Sequence, residues 1–328
     1  MAIGTMMMAV ALSCELSGWP EDLPAPTLIN REASDVAVSS GSVMRMCWRA
    51  ATGWSEGAEV FVWFPSSYED DEDRRYPVLY MHDGQNLFDP ALTNYQKEWG
   101  MDEAIARLHS RGDLREWIVV GIRSPEQRYM TLFPEKLVDH LPAERVAALA
   151  SVSGSPMIER EALMGDEYLF WLTNTLKGFI DDAYRTLPGP EDTAVMGSSM
   201  GGLMSLYALA EYPDVFGQAA AVSIHYPLGE PEVGDVAANV ADTTAAWARY
   251  LETSAMRPGP NRLYMDHGTA TLDQYYPPYA DAFDAMMAER GWDGAAYESR
   301  RFSGAEHDEN AWRERVDIPL AFLDREDP

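Results

Sequence analysis

The sequence predicts an α/β protein: a mostly parallel central sheet with helices on both faces and an antiparallel N-terminal edge. Three observations carry this. From residue 76 onward, short apolar runs alternate with amphipathic stretches, as strand–helix–strand crossovers require. Polar, Gly-rich segments directly follow several apolar runs, where open α/β sheets place their sites. The first two strand-like runs, in contrast, are joined only by a short turn-rich segment, as an antiparallel pair is.

At 328 residues the chain can bury one large core. A single domain is expected over residues 23–328, with insertions near 133–166 and 224–260. Hydrophobic content of 46% is ordinary. The 25 basic and 53 acidic residues leave a formal charge of −28, which excludes nucleic acid and anionic membrane surfaces as partners. Lys97, Lys136 and Lys177 are the only lysines, and an acidic, Lys-poor surface suits a salty environment.

Residues 1–22 read as a leader or a disordered N-terminus. Residues 6–12 are apolar, and Ala11-Leu12-Ser13-Cys14 resembles a lipoprotein cleavage box. Lipidation of Cys14 is then the one route to membrane attachment, and the protein is exported, periplasmic or lipid-anchored. No Lys or Arg precedes the apolar run, and the run is too short to span a bilayer, so a cytoplasmic location is the alternative. Cys14 and Cys47 form no disulfide framework and no metal-ligand spacing, and Cys47 reads as a buried small hydrophobe.

In chain order, residues 17–32, with Pro20, Pro24 and Pro26, read as an extended lead-in. Residues 43–50 and 59–64 are the antiparallel pair, and 68–75 is a charged, solvated loop. Residues 76–81 form the next strand and run into His82-Asp83-Gly84-Gln85-Asn86. A helix over 99–109 and a strand over 117–122 follow, then a loop carrying Arg123 and Arg128. The long polar stretch 133–166 suggests a flap, and 168–184 reads as a helix. Strands over 193–196, 216–223, 261–265 and 295–302 are expected, with helices near 243–253, 279–290 and 311–324.

The strand at 193–196 leads into Gly197-Ser198-Ser199-Met200-Gly201, and apolar residues at helical spacing follow until Pro213. Strand, G-x-S-x-G and helix in that order describe a nucleophile elbow, with Ser199 exposed on a sharp turn. Gly197 and Gly201 lack the Cβ that would clash with that turn. The helix N-terminus directs free N–H groups at the site, and the Met200 N–H is the first oxyanion donor. The loop after strand 76–81 supplies the second, from the backbone of Gln85.

A serine hydroxyl needs a base, and the base an orienting acid. His307 follows the last strand and is the expected base, with His225 as its best rival. The acid is Asp273 or Asp266, both in the loop after strand 261–265, with Asp273 preferred. Asp83, Trp99, Arg128 and His225, the last at the mouth of the site, are candidate substrate-binding residues; an ordinary loop ion pair is the alternative for Arg128 and turn hydrogen bonds for Asp83. No metal or organic cofactor is expected.

HDGQNLFDP (82–90), EWGMDEA (98–104), FIDDAYRTLP (179–188), GSSMGGLMSLYA (197–208), DHGTATLD (266–273) and EHDENAW (306–312) resemble the putative-esterase family of α/β-hydrolases. That family includes esterase D, enterochelin esterase and feruloyl or acetyl-xylan esterases. The resemblance implies the α/β-hydrolase fold and a serine carboxylic-ester hydrolase acting on a small ester or ester-decorated substrate through an acyl-enzyme. It carries over Ser199 as nucleophile, His307 as base and, by position, Asp273 as acid. An acyltransferase with the same residues and a non-catalytic binding protein that keeps the fold are the alternatives. The departures in 133–166 and 224–260 fall where acyl and alcohol pockets are shaped.

Overall fold

The structure is a computed structural model and describes residue 14 and residues 26–49, 57–93, 95–125, 127–151, 162–232 and 234–324. Nine strands form one sheet: β1 (Thr27–Ala33), β2 (Ser42–Arg49), β3 (Ala58–Phe64), β4 (Val78–His82), β5 (Ile118–Ile122), β6 (Thr193–Ser198), β7 (Gln218–Val222), β8 (Arg262–His267) and β9 (Tyr297–Arg301). Their order is β1-β2-β3-β5-β4-β6-β7-β8-β9. The first four in that order pair antiparallel, and β5, β4, β6, β7, β8 and β9 pair parallel. This is the α/β-hydrolase arrangement that the sequence predicts.

The helices are α1 (Met101–Arg111), α2 (Arg128–Thr131), α3 (Ala143–Ser151), α4 (Gly165–Trp171), α5 (Lys177–Ala183), α6 (Met200–Glu211), α7 (Val236–Leu251), α8 (Pro277–Glu289), α9 (Glu309–Arg313) and α10 (Asp317–Leu323). Alternate strand residues feed two cores, one on each face of the sheet. Val60, Val62, Val78 and Tyr80 pack under α4 to α8, while Phe61, Trp63, Leu79 and Met81 pack under α1 and α10. Central parallel strands covered on both faces are apolar throughout, which is why β4, β5 and β6 stand out in the sequence.

Three elements differ from expectation. The lead-in carries β1, an edge strand whose TLINREA sequence is exposed over its last four residues and so shows no apolar face. The helix expected over 168–184 is continuous from 165 to 183 but widens to a π turn over Leu172–Leu176. The C-terminal helix divides, and Pro319 falls in the first turn of α10, where a missing N–H costs little.

The cysteines also correct the sequence reading, because Cys14 is joined to Cys47 of β2 by a disulfide. Lipidation of Cys14 is excluded while that bond stands, since one sulfur cannot carry both. The rest of the expected leader, 1–13 and 15–22, lies outside the described residues.

The two insertions meet above the sheet. Arg145 of α3 donates to the Pro227 carbonyl at 2.6 Å, and the Tyr129 hydroxyl donates to the Leu228 carbonyl. Trp247 of α7 packs edge-on against Phe283 of α8.

Candidate active site

The link between β6 and α6 forms the turn expected of an elbow. Ser199 has φ 56° and ψ −119°, a conformation disfavoured for a residue with a Cβ. Its backbone is pinned from both sides: its N–H donates to the Val222 carbonyl at 3.0 Å, and its carbonyl accepts from His225 at 3.2 Å. A Cβ on Gly197 would lie 2.8 Å from the Gly201 backbone, and one on Gly202 would lie 3.2 Å from the Val222 carbonyl oxygen. The glycines therefore let the turn close and α6 approach β7. Met200 is the first residue of α6, and its N–H has no acceptor within the helix.

On one side of the candidate site the structure brings His307 and Asp273 together. His307 Nδ1 lies 2.5 Å from Asp273 Oδ1. The other oxygen, Oδ2, accepts from the Ser223 hydroxyl at 2.7 Å and the Gly268 N–H at 2.5 Å. Asp273 is fully buried. Burial alone would push its carboxyl up, but His307, Ser223 and Gly268 together hold it below the usual carboxylate range. The imidazole is wedged between Tyr276 and Trp312, with ring centroids 5.9 and 5.3 Å away and both rings nearly perpendicular to it. Its backbone N–H donates to Thr271 at 2.8 Å.

The alternative acid is engaged elsewhere. Asp266 accepts from Arg315 at 3.0 and 3.2 Å, from Tyr264 at 3.0 Å and from the Ser223 N–H at 3.0 Å. The rival base is equally occupied. His225 Nδ1 is bonded to the Tyr276 hydroxyl at 2.9 Å and Nε2 to the Gly229 carbonyl at 3.1 Å, so no ring nitrogen is left for a nucleophile. Burial, followed by the nearness of His307, lowers its pKa to about 3.

On the other side, Asp83 and Arg128 are brought to each other. The guanidinium grips the carboxylate through two hydrogen bonds, at 2.6 and 2.7 Å, and the Ser124 hydroxyl adds a third. Burial raises the Asp83 carboxyl, but Arg128 and Ser124 outweigh it and hold the group low. Both residues, candidates for substrate binding, are thus engaged with each other in an ion pair. Asp83 takes the left-handed conformation, φ 59°, that starts the tight turn Gly84–Asn86. Gln85 in that turn exchanges two side-chain hydrogen bonds with Ser124, at 2.9 and 3.1 Å. A Cβ on Gly84 would lie 2.4 Å from the Gly121 carbonyl carbon, so only glycine lets this loop seat against β5. His82 is buried beside Gly201, bonded to the Tyr168 hydroxyl at 2.7 Å, and burial lowers its pKa to about 4.

Trp99, also a candidate for substrate binding, is 2% exposed and packs against Trp312 at 5.5 Å, the ring that flanks His307. The sequence reading missed Ser223, Tyr276, Trp312 and Arg315. Ser223 directly follows β7 at the functional end of the sheet, so its position was a signal, but one serine after a strand carries little weight alone. Among the described residues no group of three His, Cys, Asp or Glu side chains is placed to hold a metal ion.

The fold has known counterparts. A ferulic acid esterase superposes with TM-score 0.59 at 16% identity, covering 87% of this chain and 98% of its own. The Shigella flexneri enterobactin esterase, solved with enterobactin, gives 0.58 at 16% identity over 88% of this chain and 60% of its own. The ferulic acid esterase of Anaeromyces mucronatus, solved with ferulic acid, gives 0.55 at 17% over 93% and 94%. At such identities the likeness concerns the fold. In sequence the chain is 25% identical over 208 residues to the uncharacterised protein YbbA of Bacillus subtilis (strain 168), covering 63% of this chain and 66%, just under two thirds, of YbbA. A family model described as putative esterase matches residues 53–322, and the chain belongs to that family.

Proposed function

We propose that this chain is a serine-dependent carboxylic-ester hydrolase with Ser199 as nucleophile, His307 as base and Asp273 as orienting acid. The observation that carries the reading is the 2.5 Å contact between Asp273 and His307 Nδ1. An acidic oxygen there fixes the proton on Nδ1 and leaves Nε2 as the basic atom. Ser199, raised on its strained turn, supplies the hydroxyl such a base exists to activate.

In this mechanism Ser199 Oγ adds to the ester carbonyl while His307 Nε2 takes its proton. The N–H groups of Met200 and Gln85 receive the negative oxygen of the tetrahedral intermediate. The intermediate collapses, His307 returns the proton to the departing alcohol, and an acyl-Ser199 ester remains. Water then adds with His307 again as base and releases the acid.

The charges around the site support a neutral or weakly charged ester. Arg128 is neutralised by Asp83, and Arg123 lies 3.0 Å from Glu59, so neither arginine is free to hold a polyanion. The ferulic acid and enterobactin esterases share this architecture, and small or aromatic acyl esters are the class to screen first.

The test is intact mass after incubation with a fluorophosphonate, for wild type and Ser199→Ala, beside hydrolysis of short-chain p-nitrophenyl esters. One adduct on wild type alone, with turnover lowered about 10³-fold or more in the variant, is expected. No adduct and no turnover in wild type would sink the reading. Transfer to an added alcohol in preference to water would turn it into an acyltransferase.

A further inference from the structure

Behind Asp273 lies a buried polar chain that no element of the mechanism above uses. Ser223 is fully buried, and three groups meet at its hydroxyl. Trp312 Nε1 donates to Oγ at 3.0 Å, and an Arg315 terminal nitrogen donates at 2.8 Å. Oγ itself lies 2.7 Å from Asp273 Oδ2. A serine hydroxyl has two lone pairs and one proton. The two N–H donors, which have no acceptor capacity, occupy both lone pairs. The proton is therefore committed to Asp273.

Arg315 is held in turn. Its guanidinium is gripped by Asp266, reaches the Ala311 carbonyl at 3.1 Å and lies 4.9 Å over the Phe302 ring. Asp266 also receives the Ser223 N–H at 3.0 Å, so both ends of Ser223 are fixed by one ion pair. The backbone at Ser223 is left-handed, φ 41°, which a side-chain residue adopts only when its surroundings impose it.

We propose that Ser223 is a positioning residue: held by the Arg315–Asp266 pair and Trp312, its hydroxyl is a fixed donor that orients the Asp273 carboxylate toward His307. This rests on the esterase reading above for its effect on rate, but not for its effect on the imidazole. The donor withdraws electron density from Asp273 and aligns its oxygens. Without it the carboxylate rotates more freely and becomes a stronger acceptor for the imidazolium. The other groups facing His307 are Tyr276, neutral His225 and the Asp308–Lys97 pair, in which Lys97 Nζ lies 2.6 Å from Asp308.

Ser223→Gly is the cleanest variant, because glycine accepts φ 41° and keeps the N–H that reaches Asp266. Ser223→Ala removes the same hydroxyl but retains the strain. The expected result is a kcat lowered roughly tenfold or more in both, KM within about twofold, and different melting temperatures. The titration of the His307 ring, followed by NMR, moves to higher pH in both variants, and the acid limb of the rate profile moves with it. A His307 titration unmoved or lowered in Ser223→Gly would overturn the proposal, as would kcat losses that merely track the melting temperatures. Absence of turnover and of Ser199 labelling in wild type would instead overturn the esterase reading, and the His307 titration would still decide the role of Ser223.

Discussion

The candidate site holds two buried aspartates whose partners differ in kind. Asp273 meets an imidazole, which can give and take a proton at neutral pH. Asp83 meets a guanidinium, which cannot. Under the proposed mechanism the first contact orients the base; the second ties the loop after β4, with Gln85, to α2. Both carboxyls are held low by their partners. A buried carboxylate at the end of a strand is therefore defined by the titratability of what it touches, not by its own burial or position.

The strongest challenge to this contrast exchanges the partners' importance. Asp273→Asn should lower kcat/KM by about 10³- to 10⁴-fold in protein that is still folded, well beyond what its loss of stability explains. Asp266→Asn should do the reverse. It strands Arg315, 5% exposed, without its counter-charge, at a cost of about 3–5 kcal/mol, and lowers the activity of folded protein far less. Kinetics and thermal melts on both variants decide the matter, and a silent Asp273→Asn would return the acid to Asp266.

Asp83→Asn tests the structural side. The Arg128 side chain is 34% exposed and partly hydrated without its partner, so a loss of about 1–3 kcal/mol is expected in urea unfolding. The pH dependence follows from the same group. Its folded pKa is depressed, so its contribution is full above the unfolded value, about 4, and is lost as pH falls through the lower folded value. Melting temperatures between pH 3 and 6 should fall less steeply for Asp83→Asn than for wild type.

A fourth buried aspartate has neither kind of cation as its nearest charge and gives the smallest effect, with the opposite sign. Asp102, at the start of α1, accepts from the Ser39 N–H at 2.6 Å and sits beside Glu103. Burial, then the Glu103 carboxyl, raises its pKa to about 7. Its stabilising contribution is therefore full below the unfolded value, about 4, and lost as pH rises through 7. Asp102→Asn keeps an acceptor for Ser39 without the charge. It should raise the melting temperature at pH 8 by roughly 2–4 °C, and a fall there would show that the carboxylate itself is needed.

How much of this was legible depends on distance along the chain. The elbow was legible because strand, turn glycines and helix are consecutive, and local sterics decide them. Strands β4 to β7 were legible as apolar runs buried on both faces. At the antiparallel edge β2 and β3 carry buried apolar residues, whereas β1 carries few, which is why β1 escaped notice. The Cys14–Cys47 bond, 33 residues apart, has no spacing signature. Asp83 and Arg128 stand 45 residues apart, so an ion pair could be expected of Arg128 but nothing local named its partner. The same holds for Trp99, whose partner Trp312 arrives with the last helices.

By itself, then, the sequence determined the α/β fold, the turn that raises Ser199, and the place of His307 in the loop after the last strand. These rest on backbone geometry, hydrophobic periodicity and chain order, which are properties of neighbouring residues. Only the tertiary structure put Asp273 against His307 and Asp266 against Arg315, paired Asp83 with Arg128, and occupied both ring nitrogens of His225. Those outcomes depend on which donor or charge reaches a group first across the fold, and electrostatic partners are set by position in space rather than by position in the chain.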